Sequence, residues 1–236
     1  MVKLSDSIGT KGESATRIFG NERMGILFSK FQAVVIRSGF ELEETIKNRI
    51  PFEIFTTLDA LREVNQTTAE TPNIQVVFKP SRPNPDNPSK SIQADFLIVD
   101  NLSRRFMLVE VKEGHVFDTK KADGELASLK NITSWLAQEY AYRTHYFICC
   151  FNQENKEEIV QGTKKRFSID HVLTGREFCG TIGIDYDAIR EERSADQVEN
   201  RRFFLTELLA ISEIRDEVLE ILNTTDVTGE PPEELI

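Results

Sequence analysis

Ala94-Asp95-Phe96-Leu97-Ile98-Val99-Asp100, followed after a polar turn by Phe106-Met107-Leu108-Val109-Glu110-Val111-Lys112, decides the reading of this chain. Both are short apolar runs bounded by polar residues, the pattern of strands. Folded about Leu102 and Ser103, they make a hairpin. If Asp100 lies opposite Arg105, then Asp95 lies opposite Glu110. Side chains alternate along a strand and directly opposed residues share a face, so Asp95, Glu110 and Lys112 converge at one end of the hairpin. Charges beside apolar strands are costly for folding unless they find partners. Two carboxylates and an ammonium in this setting suit a hard divalent cation next to a scissile phosphate.

Working outward, Met24, Leu27, Phe28, Phe31, Val34 and Val35 recur at helical spacing, with Gly39 as the expected stop. Glu41 to Ile50 reads as a second helix ended by Pro51, and Thr57 to Val64 as a short third. Ile74 to Phe78 reads as the first strand. The stretch from Lys79 to Lys90 holds four of the eight prolines and is expected to be a loop, lying over a ligand or simply joining two strands. Beyond Lys112, a helix from about Asp123 to Tyr142 carries Leu126, Leu129, Ile132, Trp135, Leu136 and Tyr140. The strand Tyr146 to Phe151 follows. Strand, crossover helix, strand places that helix across a sheet. The expected fold is α/β: a central mixed sheet, largely an antiparallel meander plus one crossover, flanked by helices.

The rest of the chain is organised more loosely. Residues 1–20 lack a period and are read as a flexible arm. Residues 21–223 are read as a single domain, with a core at about 70–151 and a helical part at 152–223. Within that part, Thr174 to Gly180 is loop-like. Ser194-Ala195-Asp196-Gln197 has capping-box spacing and opens one long amphipathic helix from Val198 to Leu222. Residues 224–236 are read as a disordered acidic tail.

Bulk properties exclude several classes. The chain has 236 residues, 39% hydrophobic and 29% charged, as expected of a globular protein. Its longest apolar runs fall far short of the roughly 20 residues that cross a bilayer. With no apolar signal core at the N-terminus, a cytoplasmic protein is expected. Cys149, Cys150 and Cys179 form no Cys-x-x-Cys and are read as buried free thiols. His115, His145 and His171 are too scattered for a zinc site. A net charge of −10 argues against nonspecific coating of nucleic acid but leaves room for a basic cleft in a sequence-specific enzyme. Glycine-rich phosphate loops, His-Glu-x-x-His and Gly-x-Ser-x-Gly are all missing, which disfavours nucleotide-driven motors and serine hydrolases.

Asp95, Glu110 and Lys112, an acid and then Glu-x-Lys on the next strand, resemble the motif of the PD-(D/E)xK nuclease superfamily. By size and layout the chain is most like a type II restriction endonuclease, over roughly residues 22–151. Ala94 stands where the family name has proline. The resemblance implies a restriction-endonuclease-like fold and one or two Mg²⁺ ions per active site. Asp95, Glu110 and the backbone carbonyl of Val111 would hold the metal, with Lys112 orienting the attacking water or stabilising developing charge. Many members add an acid from the first helix; Glu41, Glu43 and Glu44 are candidates, Glu44 foremost. Asp100, roughly 16 Å from Asp95 at ~3.3 Å per residue, is a turn residue instead. Lys79, Arg82, Lys90, Lys120, Lys121, Lys164, Lys165 and Arg166 are candidate DNA contacts, and Asp118, Lys120 and Glu125 could support the site.

The resulting expectation is a Mg²⁺-dependent endonuclease that cuts double-stranded DNA at a short sequence, acting as a homodimer. Two alternatives stand beside it. One is a repair, recombination or junction-resolving nuclease of the same chemistry. The other is a noncatalytic DNA-binding or protein-interaction module.

Overall fold

A computed structural model describes residues 3–9, 12–67, 72–85 and 87–224. Their strands, in chain order, are β1 (Ile54–Phe55), β2 (Ile74–Phe78), β3 (Ser81–Asn84), β4 (Asn87–Gln93), β5 (Phe96–Asp100), β6 (Arg105–Lys112), β7 (Arg143–Cys150) and β8 (Val172–Thr174). Six of them form one sheet in the order β1-β2-β5-β6-β7-β8, and β3 pairs only with β4. β2, β5 and β6 make the antiparallel meander. β7 lies parallel to β6, reached through a crossover helix whose N-cap is Asp118. β1 and β8 extend the edges, each parallel to its neighbour. The expected mixed sheet flanked by helices is therefore present.

Both faces of this sheet are covered, which is why its strands are continuous apolar runs and not alternating ones. On one face Leu97, Val99, Phe106 and Leu108 pack with Leu129, Ile132 and Leu136 of the crossover helix. On the other, Phe96, Ile98, Met107 and Val109 pack with Leu42, Ile46, Phe178 and Ile189. Cys149 and Cys150, adjacent in β7, fall on opposite faces; both are buried free thiols, as is Cys179. The hairpin register is the expected one: Asp100 opposes Arg105 and Phe96 opposes Val109.

The helices are α1 (Glu13–Phe19), α2 (Glu22–Arg49), α3 (Leu58–Thr67), α4 (Thr119–Glu139), α5 (Lys156–Gly162), α6 (Gly175–Thr181), α7 (Tyr186–Ser194), α8 (Gln197–Leu209) and α9 (Ser212–Thr224). The described chain forms two compact units. One is Gly39–Glu191, with both sheets; the other joins the residues up to Ser38 to those from Glu192.

Several local expectations are corrected. Gly39 does not stop a helix: α2 runs through it, despite a cost of about 1 kcal/mol for a glycine inside a helix, and buries Leu42 and Ile46 beyond it. Residues 79–90 are not a loop but most of the β3–β4 ribbon. Proline is compatible there because a two-stranded ribbon consists entirely of edges, where a missing N–H can face solvent. The arm at residues 1–20 contains α1 and a buried Leu4. Thr174 to Gly180 is the end of β8 and a helix with a full capping box, Thr174 with Glu177. The long C-terminal helix is two, broken where Ile211 turns inward and Arg23 donates to the freed Ala210 carbonyl at 3.1 Å. Asp196 precedes α8 without a side-chain cap. The acidic tail from residue 225 lies outside the described residues.

Candidate active site

Asp95 stands immediately before β5, and Glu110 and Lys112 close β6, so the hairpin brings all three to one end of the sheet. The Val111 amide donates to Asp95 Oδ2 at 2.7 Å, which fixes the first carboxylate against the second strand. Lys112 Nζ lies 2.5 Å from Glu110 Oε1 and 3.1 Å from Glu125 Oε1 of α4. The acids are largely out of water: Asp95 is 9% exposed and Glu110 8%. Asp100, at the far end of the hairpin, accepts from the Ser103 amide at 2.9 Å and the Ser103 hydroxyl at 2.5 Å, as a turn residue should.

Burial disfavours the ionised form of a carboxylate, and a neighbouring carboxylate adds to the effect. Asp95 is raised to about 6, first by burial and then by Glu43, against the opposing Val111 hydrogen bond. Glu110 is raised to about 8, by burial and then by Asp95. The two acids titrate as a linked pair. Burial pulls the Lys112 ammonium downward, but Glu110 and Glu125 outweigh it and hold Lys112 above the ordinary lysine range. In this setting the carboxylates favour the charged ammonium of Lys112.

Of the two helix acids, Glu43 is the one that influences Asp95, while Glu44 pairs with Lys47. At 100° per residue, Glu43 lies about 60° from the middle of the Leu42–Ile46–Ile50 stripe and Glu44 about 160° from it. Accordingly Glu44 pairs with Lys47 at 3.0 Å in solvent. Glu43 is mostly buried, lies 2.9 Å from Lys79 Nζ and raises Asp95. The helical phase was available in the sequence and singles out Glu43. Glu125, a candidate from its closeness to the motif in sequence, does lie beside Lys112, because the crossover brings α4 back over it.

Among the described residues, no three His, Cys, Asp or Glu side chains are gathered closely enough to cage a metal on their own. Magnesium does not need that, since it often takes one or two carboxylates and fills its shell with water and phosphate oxygens. The charge count matters more. Glu43, Asp95, Glu110 and Glu125 face Lys79 and Lys112, a surplus of two negative charges when all are ionised. A single divalent cation matches that surplus.

Comparison with known proteins decides the family. The chain is 36% identical over 226 residues to the type II restriction enzyme HhaII of Haemophilus parahaemolyticus, an alignment spanning 92% of this chain and 98% of that enzyme. The chain belongs to the type II restriction enzymes. It is a type II site-specific endonuclease. No family model matches it, and no solved structure does.

In this restriction enzyme the basic residues expected at DNA are placed unequally. Lys79 is held by Glu43, Arg82 lies 5.5 Å over the Trp135 ring, and Lys90 projects from the ribbon. Lys120 and Lys121 begin α4, with Lys121 5.5 Å over Phe117. Lys164 and Lys165 occupy a left-handed turn (φ 55° and 58°), and Arg166 pairs with Asp123 at 2.8 Å. Asp118 caps α4 by accepting from the Lys121 amide at 2.8 Å and so has a structural task. No helix among the described residues is long and apolar enough to cross a membrane.

Proposed function

We propose that Asp95, Glu110 and Lys112 form a PD-(D/E)xK active site in a restriction-endonuclease-like fold. In this reading the enzyme hydrolyses both strands of duplex DNA at a short sequence, using Mg²⁺. Asp95 and Glu110 hold the metal, with the Val111 carbonyl as a further ligand and Glu43 as the acid from the helix. The observation that carries the reading is the pair of carboxylates buried at one strand end, which together with Glu43 and Glu125 exceed Lys79 and Lys112 by two negative charges when all are ionised. That donor set of hard oxygens fits Mg²⁺. Bound there, the ion supplies Lewis-acid stabilisation of the phosphate and leaving oxygen and acidifies water.

The chain's own residues do the rest. The Val111 amide orients Asp95. Lys112, pinned between Glu110 and Glu125, presents a fixed ammonium to the phosphate and the attacking water. Because it keeps its proton, it stabilises developing negative charge and leaves proton removal to another acceptor. The enzyme works in the cytoplasm as a homodimer, one site per strand, since a two-fold protein matches a palindromic duplex by symmetry. Membership of the type II restriction enzymes favours cutting by sequence over cutting by DNA structure.

Calorimetric titration with Mg²⁺ tests the centre. Wild-type protein should bind it with release of protons, and Asp95→Asn and Glu110→Gln, as direct ligands, should each weaken binding by about a hundredfold or more, beyond the roughly 10–100-fold effect of outer partners. Equal affinity in all three would overturn the assignment.

A further inference from the structure

The β3–β4 ribbon takes no part in the centre described above, yet its base is hydrogen-bonded to it. The Lys79 amide donates to the Asp95 carbonyl at 2.8 Å and the Ala94 amide to the Pro80 carbonyl at 3.2 Å. Lys79 adopts a left-handed backbone (φ 52°) where the chain leaves the main sheet. A lysine tolerates that conformation only where its surroundings impose it. Here those are the Asp95 carbonyl and the Glu43 carboxylate. The ribbon is thus attached at a fixed point beside the first catalytic carboxylate.

Its two faces differ. Ser81 opposes Gln93, Arg82 opposes Ile92 and Pro83 opposes Ser91. Arg82 and Ile92 are half-buried, the first over Trp135 and the second against the core. Ser81, Pro83, Ser89, Ser91 and Gln93 alternate with them and are all exposed. In a chain with 29% charged residues this open face carries none. It offers hydroxyl and amide groups, and the Ser91 hydroxyl has no hydrogen-bond partner among the described residues. The surrounding charge is nonetheless basic: residues 79–93 hold Lys79, Arg82 and Lys90 against Asp86, in a chain of net charge −10.

We propose that this ribbon is the base-reading arm of the enzyme, laid in the major groove with its neutral face on the base edges and Lys90 on a phosphate. The inference rests on the reading of the chain as a DNA-cutting enzyme and adds to it the element that reads sequence. The major groove, about 12 Å wide, admits a two-stranded ribbon, and Ser, Asn and Gln are side chains that pair with base edges there. Seven residues of β4 span roughly 23 Å, enough to reach from a phosphate at Asp95 into the adjoining groove. A neutral face suits discrimination, because a buried charge would bind any phosphate and a hydrogen-bonding group left unpaired by the wrong base is penalised.

The test uses duplexes carrying the site mapped from wild-type fragment ends, or a scrambled site, with Ca²⁺ replacing Mg²⁺ during binding. Ser89→Ala/Ser91→Ala should cut the ratio of site to scrambled affinity about tenfold to a hundredfold and leave the scrambled affinity unchanged. Lys90→Ala should weaken both alike and lower the salt dependence. These side chains are exposed, so thermal melts should match wild type; a misfolded variant would lose both affinities together. A ratio within about twofold of wild type for the serine variant, in protein that cuts DNA normally, would overturn the ribbon's role alone. Wild-type protein that cuts no DNA would instead overturn the underlying reading.

Discussion

Two hairpins stand next to each other in this chain, β3–β4 and β5–β6, and they share a topology but little else. In β5–β6 the side chains of Phe96–Val99 and Phe106–Val111 are buried, and the charges lie towards the strand ends. In β3–β4 nearly every side chain is exposed and uncharged hydrogen-bonding groups predominate on the open face. The difference follows from what covers them. Helices seal both faces of β5–β6, so the field of each charge at its mouth is little screened. The ribbon keeps water on its open face, so its groups are weak until something dries them. On the proposed reading, reactivity is concentrated where burial is deep, and recognition is available where it is shallow.

The largest effects are expected at the buried end. Asp95→Asn or Glu110→Gln should reduce DNA cleavage by about 10³-fold or more, since several kcal/mol of transition-state stabilisation pass through these ligands. The same changes should stabilise the metal-free protein at alkaline pH. Glu110 holds its proton up to about 8 in the folded chain against an ordinary 4.5, so the folded state binds more protons than the unfolded one between those values. Its contribution is intact below about pH 4.5 and is lost as pH rises through about 8. Thermal melts in chelator should therefore show wild type falling relative to Glu110→Gln across that window, and Mg²⁺ affinity should climb over it. If wild type gained on the variant as pH rose, the sign of the burial effect would be wrong.

Lys112→Ala should cost about 10²–10³-fold in cleavage, the scale of losing one preorganised charge at the reacting phosphate. Single-turnover cleavage at saturating enzyme separates this from weakened DNA binding. Glu43→Gln should lower Mg²⁺ affinity roughly tenfold, while Glu44→Gln changes it less than about twofold, because an exposed pair such as Glu44–Lys47 contributes little. Smallest of all, Asp100→Asn should cost about 1 kcal/mol of stability through its turn hydrogen bonds and leave cleavage rates unchanged; a denaturant melt and a rate assay check the two halves.

The same contrast governs what could be read from the sequence. The β5–β6 hairpin was legible down to its register because burial on both faces forces unbroken apolar runs, and the polar turn from Asp100 to Arg105 fixes which residues oppose one another. The ribbon was not legible: without a core face it has no strong period, and prolines 83, 85 and 88 suggest a loop unless both strands are known to be edges. Gly39 is a related case: a glycine is a local stop signal, but α2 continues through it to bury Leu42 and Ile46. Among the site residues, the hairpin trio follows from spacing and Glu43 from helical phase. Glu125 is a candidate only by its nearness to the motif in the chain, and its pairing with Lys112 exists once α4 has crossed the sheet.

The central claim is that Asp95 and Glu110 are a metal-dependent cutting centre and not a structural cap on a hairpin. Digestion of unmethylated phage DNA in Mg²⁺, with wild type beside Asp95→Asn, tests it most directly. Wild type should give discrete fragments that vanish with chelator, and Asp95→Asn should give none while melting no lower than wild type at pH 8. Fragments produced by Asp95→Asn at the wild-type rate would contradict the account.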